Sequence, residues 1–330
     1  MGLREFTRTY TAKNEPRAWG ELGGTLIAYV VFMALAIANA AQWWLVVPFT
    51  ALAGLMGLRI YMVQHDCMHR AYFASRKLND LIGEVLSPIS LSPYVATRYN
   101  HFLHHAHVGN LDHREAFEID IMTVEEYRAA PFLRRFWYRF YRSPFTLLVV
   151  GPFVLYVILR RFPRNGFKTG IWWVVLHDAM VLAYFAALYA LAGWAGVLVL
   201  LGSIYVGATF GAIIPYVVHN FEQVYWGRKP DYTYQKGALE GSSVLRFGAL
   251  FDWLTLNIAY HDLHHLNGNI PCYRLKRCYE EAGDLLSSRE IGFREALSCY
   301  GWKLYDEKAQ RMVGFDAARG PAPLRDVPAE

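Results

Sequence analysis

The sequence predicts an all-α integral membrane protein, with four transmembrane helices in two hairpins and a cytoplasmic helical cap that holds a two-metal site. Three observations predict it. Of 330 residues, 54% are apolar and 16% aromatic while only 18% are charged, against about 25% charged in ordinary soluble chains. Two long stretches carry almost no charge. Eight of the twelve histidines fall into three clusters at helical spacing, all on one side of those stretches. The mean hydropathy of +0.14 excludes disordered, collagen-like and disulfide-stapled classes. A net charge of +5 disfavours a nucleic-acid binder and suits a basic face against anionic lipid. Cys67, Cys272, Cys278 and Cys299 form no CxxC pair, so neither a disulfide framework nor a zinc ribbon is expected.

The first 21 residues are polar and lack the layout of a secretory signal; they are expected to stay in the cytosol. From Leu22 to Leu58 there is no charged residue, and the run is interrupted only by Asn39 to Gln42, ahead of Trp43 and Trp44. That length holds two spans of about 20 residues each, at about 22–60. A second hairpin is predicted over 171–218, turning at Gly193, Trp194 and Gly196, with Asp178 its only acid. Trp43, Trp44, Trp172, Trp173 and Trp194 sit where an aromatic belt belongs.

Lys and Arg set the orientation: 4 precede Leu22, 15 lie between Arg59 and Lys168, 14 follow Val218, and the hairpin turns carry none. Both termini and the central region are therefore predicted to be cytoplasmic. Residues 145–159 form a third apolar run containing Gly151-Pro152, bracketed by Arg142 and Arg160-Arg161. It is short for a span, and a crossing here would put the histidine clusters on opposite sides of the membrane. An interfacial or re-entrant segment is predicted instead. Residues 22–316 make up one domain, and the Ala- and Pro-rich tail 317–330 is expected to be disordered.

The clusters are His65-Asp-Cys-Met-His69, His101-Phe-Leu-His104-His105 and His261-Asp-Leu-His264-His265. Positions i, i+3 and i+4 share a helix face, so each cluster presents its imidazoles together. Eight histidines exceed what one ion takes, so two metals are expected. His219, at the end of the last span, is a ninth candidate; His107, His113 and His177 are placed outside the site. No Glu-x-x-His motif accompanies the clusters, unlike soluble di-iron bundles. A nearly all-imidazole site beside lipid suits iron and dioxygen acting on an apolar, membrane-dissolved substrate. Asp66, Glu222 and Asp262 are expected to hold imidazole N–H protons. Asn257, four residues before His261, is expected on the same helical face, in reach of a metal-bound water.

These residues resemble the three histidine boxes of membrane-bound fatty acid desaturases. The strings HDCMHRAYFASRKLNDLIGEVLSP, HHAHVGNLDHR, VVHNFEQVYW and NIAYHDLHHLNGNIPCYRL are similar to the bacterial acyl-lipid, omega-6 (delta-12) type, from about Pro16 to Phe315. The resemblance implies that the box histidines are His65, His69, His101, His104, His105, His261, His264 and His265, with His219 as the additional ligand. It further implies two irons, dioxygen as co-substrate, removal of hydrogen from adjacent methylenes to leave a cis double bond, and a separate ferredoxin or cytochrome b5 as electron donor. No fused cytochrome domain is expected. An integral protein of the bacterial inner membrane, with its active site facing the cytoplasm, follows from the same likeness. Met68 replaces the glycine common in the first box and is expected to narrow the approach to the site, and Asp262 stands where the third box often has a second histidine. A hydroxylase or ketolase acting on lipid, alkane or carotenoid would share every ligand. A metal transporter or sensor would instead place its ligands near mid-bilayer.

Overall fold

The computed structural model describes residues 2–114 and 120–319. A short helix α1 (Leu3–Arg8) leads into α2 (Glu15–Ala38), whose start is fixed by Asn14: its side chain accepts from the Arg17 N–H at 3.0 Å. The chain turns over Asn39 to Gln42 and returns as α3 (Trp43–Met68). Apolar side chains such as Ile27, Val30, Trp43 and Trp44 point outward and stay exposed, as expected of surface meant for lipid rather than water.

The second predicted hairpin is one 48-residue helical stretch, Ile171–Val218, broken at Gly193 (φ 58°, ψ −149°). Only glycine takes that backbone readily. The break reverses the chain: a Cβ on Gly196 would lie 2.7 Å from the Leu188 carbonyl. The half leading to Val218 packs against α3 at Gly54 and Gly207, where a Cβ on Gly207 would come within 2.8 Å of the Gly54 carbonyl. Tyr29 and Tyr184 join the two hairpins through a 2.7 Å hydroxyl contact. Three helices among the described residues are long and apolar enough to cross a membrane: α2, α3 and Ile171–Val218.

The remaining elements pack against α3, the Ile171–Val218 stretch and one another. They include α4 (Arg76–Ser90), α5 (Tyr94–His107), α6 (Val124–Ala129) and α7 (Phe132–Tyr141), then the helices Tyr234–Glu240, His261–Leu266 and Cys272–Ala282. The sequence predicts only helices here, but these elements also include short strands. Met122–Thr123 pairs in parallel with Leu304–Asp306, which pairs antiparallel with Arg311–Val313, and Val244–Leu245 pairs with Glu290–Ile291. Strands of two or three residues are too short to show the alternation by which a strand is read from sequence.

The apolar run at 145–159 becomes an irregular helical segment, Thr146–Arg161, bent by 58° from α7. Its turns alternate between π, α and 3-10 geometry around Gly151-Pro152, because proline at 152 has no N–H for a regular ladder. The N-terminal segment is anchored to the cap: the Asn14 N–H donates to Tyr273 Oη at 2.9 Å, Asn267 Nδ2 to Thr7 Oγ1 at 3.2 Å, and Tyr10 bonds Glu281. Arg59, buried within α3, pairs with Glu21 and lies over the Trp253 ring at 4.4 Å. At the C-terminus, Phe315–Ala318 form a 3-10 turn whose Ala317 carbonyl accepts from Arg128 at 2.7 Å. This turn includes the first residues of the tail 317–330, and residues 320–330 lie outside the described residues.

Candidate metal centre

Each histidine cluster sits on a helix. His65 and His69 occupy the last turn and C-cap of α3, so the first cluster continues a membrane-type helix rather than following it on a separate element. His101, His104 and His105 lie on α5; His261, His264 and His265 lie on the helix His261–Leu266. His219 caps the end of Ile171–Val218.

The fold brings these nine residues together as two groups of four with one between. His65, His69, His101 and His264 form the first group and His104, His219, His261 and His265 the second, each with its ligand atoms within 4.8 Å of one another. His105 stands at the junction: its Nε2 is 3.0 Å from His264 Nε2, and its ring stacks on His265 at 4.2 Å. In the first group His69 and His101 Nε2 are 2.7 Å apart. In the second, the Nε2 atoms of His219, His261 and His265 form a triangle with sides of 3.1, 3.2 and 3.1 Å.

Three ring nitrogens aimed at a common point cannot hydrogen-bond in all three pairs, since each offers one lone pair or one proton along its ring axis. Two nitrogens bound at about 2.1 Å to one ion stand about 3.0–3.4 Å apart at octahedral or tetrahedral angles. The spacing and the donor set both fit a metal ion in each group. Electrostatics agrees: burial, reinforced by the neighbouring imidazoles, holds His69, His101, His104, His105, His261, His264 and His265 well below the usual histidine range, and burial brings His219 down to about 4. The rings are neutral at pH 7, the form that binds metal.

The groups expected to support the ligands are elsewhere. Asp66 is buried, and its Oδ2 accepts from the Cys272 N–H at 3.1 Å; Glu222 accepts from Arg311 at 3.0 Å. Asp262 accepts from the Leu263 N–H at 2.7 Å and from Ser288 Oγ, and burial pushes its carboxyl up to about 6. All three carboxylates hold protein segments together and none holds an imidazole. Asn257 is not on the third cluster's helix, because the chain there is a turn with φ of 63°, and its Nδ2 donates to the Cys272 carbonyl at 3.2 Å. One support among the described residues is a backbone atom: His219 Nδ1 meets the Gly241 carbonyl at 2.8 Å. No side-chain motif signals a carbonyl, so it could not be read from the sequence. His177 stands apart, with Nδ1 on Ser87 Oγ at 2.8 Å, and His107 packs on His113 at 4.7 Å.

Beside the histidines lies a cavity of about 420 Å³, a volume in the range of small-ligand sites. His65, His101, His104, His219 and His261 form one wall, and Leu147, Val150, Val154 and Leu155 of the irregular segment face them. Met68 does not line it; that side chain is fully buried in the core, so it does not narrow the approach. A second, far smaller cavity of about 30 Å³ lies behind Tyr61, Tyr156 and Gly211, which line both spaces.

Comparison with known proteins agrees with this geometry. The sequence profile of the family described as "Fatty acid desaturase" matches residues 41–296. A "Fatty acid desaturase" of Bacillus subtilis (strain 168) is 30% identical over 322 residues, covering 96% of this chain and 92% of the relative. An "sn-1 oleoyl-lipid 12-desaturase" of Synechocystis sp. is 26% identical, covering 93% and 86%. An "sn-1 acyl-lipid omega-3 desaturase (ferredoxin)" of Nostoc sp. is 28% identical, covering 76% and 71%. With this match over most of its length, and with its histidine groups set against membrane-type helices, the chain belongs to the fatty acid desaturase family and is an oxidoreductase.

Proposed function

We propose that this enzyme is an oxygen-dependent di-iron desaturase that introduces a cis double bond into the acyl chain of a membrane lipid, with delta-12-like regiochemistry. The observation that carries the reading is the wall of converging, neutral histidines along one side of an apolar cavity. His65, His69, His101, His105 and His264 would hold one iron, and His104, His219, His261 and His265 the other. Bound there, the iron pair supplies dioxygen activation. The reaction balances as R–CH2–CH2–R′ + O2 + 2 e⁻ + 2 H⁺ giving R–CH=CH–R′ + 2 H2O.

The chain's own residues do the positioning. Leu147, Val150, Val154 and Leu155 hold the acyl chain by apolar contact against the histidine wall, and the fixed cavity shape decides which methylenes face it. The apolar side chains of this lining displace water from the reacting carbons. No separate acid or base is assigned.

In the membrane, we place four spans, two from α2 and α3 and two from the halves of Ile171–Val218, with the cap and both termini in the cytoplasm of a bacterial cell. Support comes from the lysine and arginine distribution and from the reversal at Gly193. The exposed Phe132, Leu133, Phe136 and Trp137 of α7 alternate with Arg134 and Arg135, which suits a helix lying in the membrane interface. The Nostoc relative carries ferredoxin in its name, and a ferredoxin-type donor is proposed here too.

Expression in a host with saturated and monounsaturated lipids, followed by mass spectrometry of fatty acid methyl esters, tests the reading. A new double bond formed only in air is expected. A product with added oxygen would replace desaturase by hydroxylase, and a profile identical to that of the His104→Ala variant would reject both.

A further inference from the structure

We propose that the surface formed by Phe102, Arg98 and the turn at Gly268 is the docking site for an acidic one-electron carrier protein, and that His69 is the point where its electrons enter. This rests on the desaturase reading, which needs two electrons per double bond.

The first observation is an asymmetry among the histidines. His69, His101, His104 and His219 are the partly exposed members of the two groups. Three of them line the cavity, whereas His69 does not. Its accessible face therefore turns away from the substrate side.

Two neighbours make that face the thinnest cover over the metal centre. The Phe102 ring, 40% exposed, meets the His69 ring edge-on at 5.8 Å. Gly268, in a partly exposed turn, lies so close that a Cβ there would stand 2.6 Å from His69 Nδ1. Any side chain at 268 would displace the imidazole, so only the bare backbone of the turn separates it from the surface.

The third observation is charge. The Arg98 guanidinium lies over the outer Phe102 ring at 5.1 Å. Arg70 is close by, and Lys13 reaches the same turn, with Nζ donating to the Asn269 carbonyl at 2.7 Å. Two acids lie near these three bases: Asp80, shared by Arg70 at 2.6 Å and Arg98 at 3.6 Å, and the buried Asp66, which interacts with Lys13. The patch is thus net basic around an exposed aromatic, which complements an acidic protein and speeds its encounter. In each encounter the carrier would be oxidised by one electron, taken up by the metals that the histidines would hold; two encounters would meet the demand of one double bond.

The test is direct binding of a two-iron, two-sulfur ferredoxin to the purified, metal-loaded enzyme by surface plasmon resonance. Dithionite-driven product formation is measured on the same samples. Arg98→Glu combined with Lys13→Glu is expected to raise Kd by at least about tenfold and to flatten its salt dependence, while dithionite-driven turnover stays within about twofold. Because Arg98 also donates to the Met68 carbonyl at 3.0 Å, Lys13→Glu alone is the variant least able to disturb folding, and about a threefold rise is expected. An unchanged Kd in both variants, or no binding by the wild type, overturns the docking site. So does a loss of affinity for anionic vesicles without any loss for ferredoxin. Failure of the wild type to form a double bond with dithionite would overturn the desaturase reading, while the binding comparison would still decide the docking site.

Discussion

The two histidine groups differ in how the chain builds them. The first draws on all three clusters, and one member, His69, is partly exposed without lining the cavity. The second takes nothing from the first cluster and needs His219, from the end of a separate apolar helix, braced by the Gly241 carbonyl at 2.8 Å. Both split the same short motif. In the second cluster His101 goes to the first group and His104 to the second, with His105 standing between them; in the third, His261 and His265, four apart, stay on one side while His264 crosses to the other. Helix geometry accounts for this, because positions i and i+4 are separated by about 40° around the axis whereas i+3 lies about 60° the other way. One turn of helix can thus serve two ions at once.

That division gives the largest expected effect. His264→Ala should remove the metal of the first group and His265→Ala that of the second, each lowering the metal content from two ions toward one and cutting product formation by at least about a hundredfold. Metal analysis by mass spectrometry, with occupancy of each site followed spectroscopically, checks it. Loss of the same ion in both variants would break the comparison.

Acid should act on both groups together. Their buried imidazoles are neutral in the fold, with His219 held at about 4 against an ordinary 6.5, so the unfolded chain takes up protons first as the pH drops. Stability from this source is complete above about 6.5 and is lost as the pH falls toward about 4, since stability rises with pH wherever the unfolded state binds more protons. Thermal unfolding of the metal-free protein across that window measures the slope, and a flat profile would mean that the rings are hydrated.

A smaller effect is expected at Asp262. Its bonds go to Ser288 and to the Leu263 N–H, so Asp262→Ala should lower stability by about 1–3 kcal/mol and leave both metals bound. Loss of metal on the scale of His265→Ala would show that this carboxylate serves the second group after all. The smallest change is expected at Tyr61, in the partition between the two cavities of about 420 and 30 Å³. Tyr61→Ala should join them and shift the product profile toward longer acyl chains, as read from methyl esters.

Features repeated along one helix were legible in the sequence. The uncharged runs gave the hairpins, and the i, i+3, i+4 spacing gave the imidazole faces. Predictions that depended on where a neighbouring segment lies went astray. Asp66, Glu222 and Asp262 sit close in sequence to ligands, but their oxygens meet Cys272, Arg311, Ser288 and Leu263. Asn257 was placed by extending the helix His261–Leu266 backward, across residues that are in fact a left-handed turn. The run at 145–159 was legible as apolar and short; its role as the wall facing the histidines was not.

The sequence alone therefore determined which side chains are chemically equipped to bind metal and which helices are apolar enough for lipid, because both follow from residue type at a fixed local period. Only the tertiary structure decided how eight of the nine histidines divide into two groups of four with His105 between them, which of them line the cavity, and that a backbone carbonyl supports His219. Those outcomes depend on the packing of four separate stretches of chain around one point, and distance in space between such stretches is not written in their spacing along the sequence.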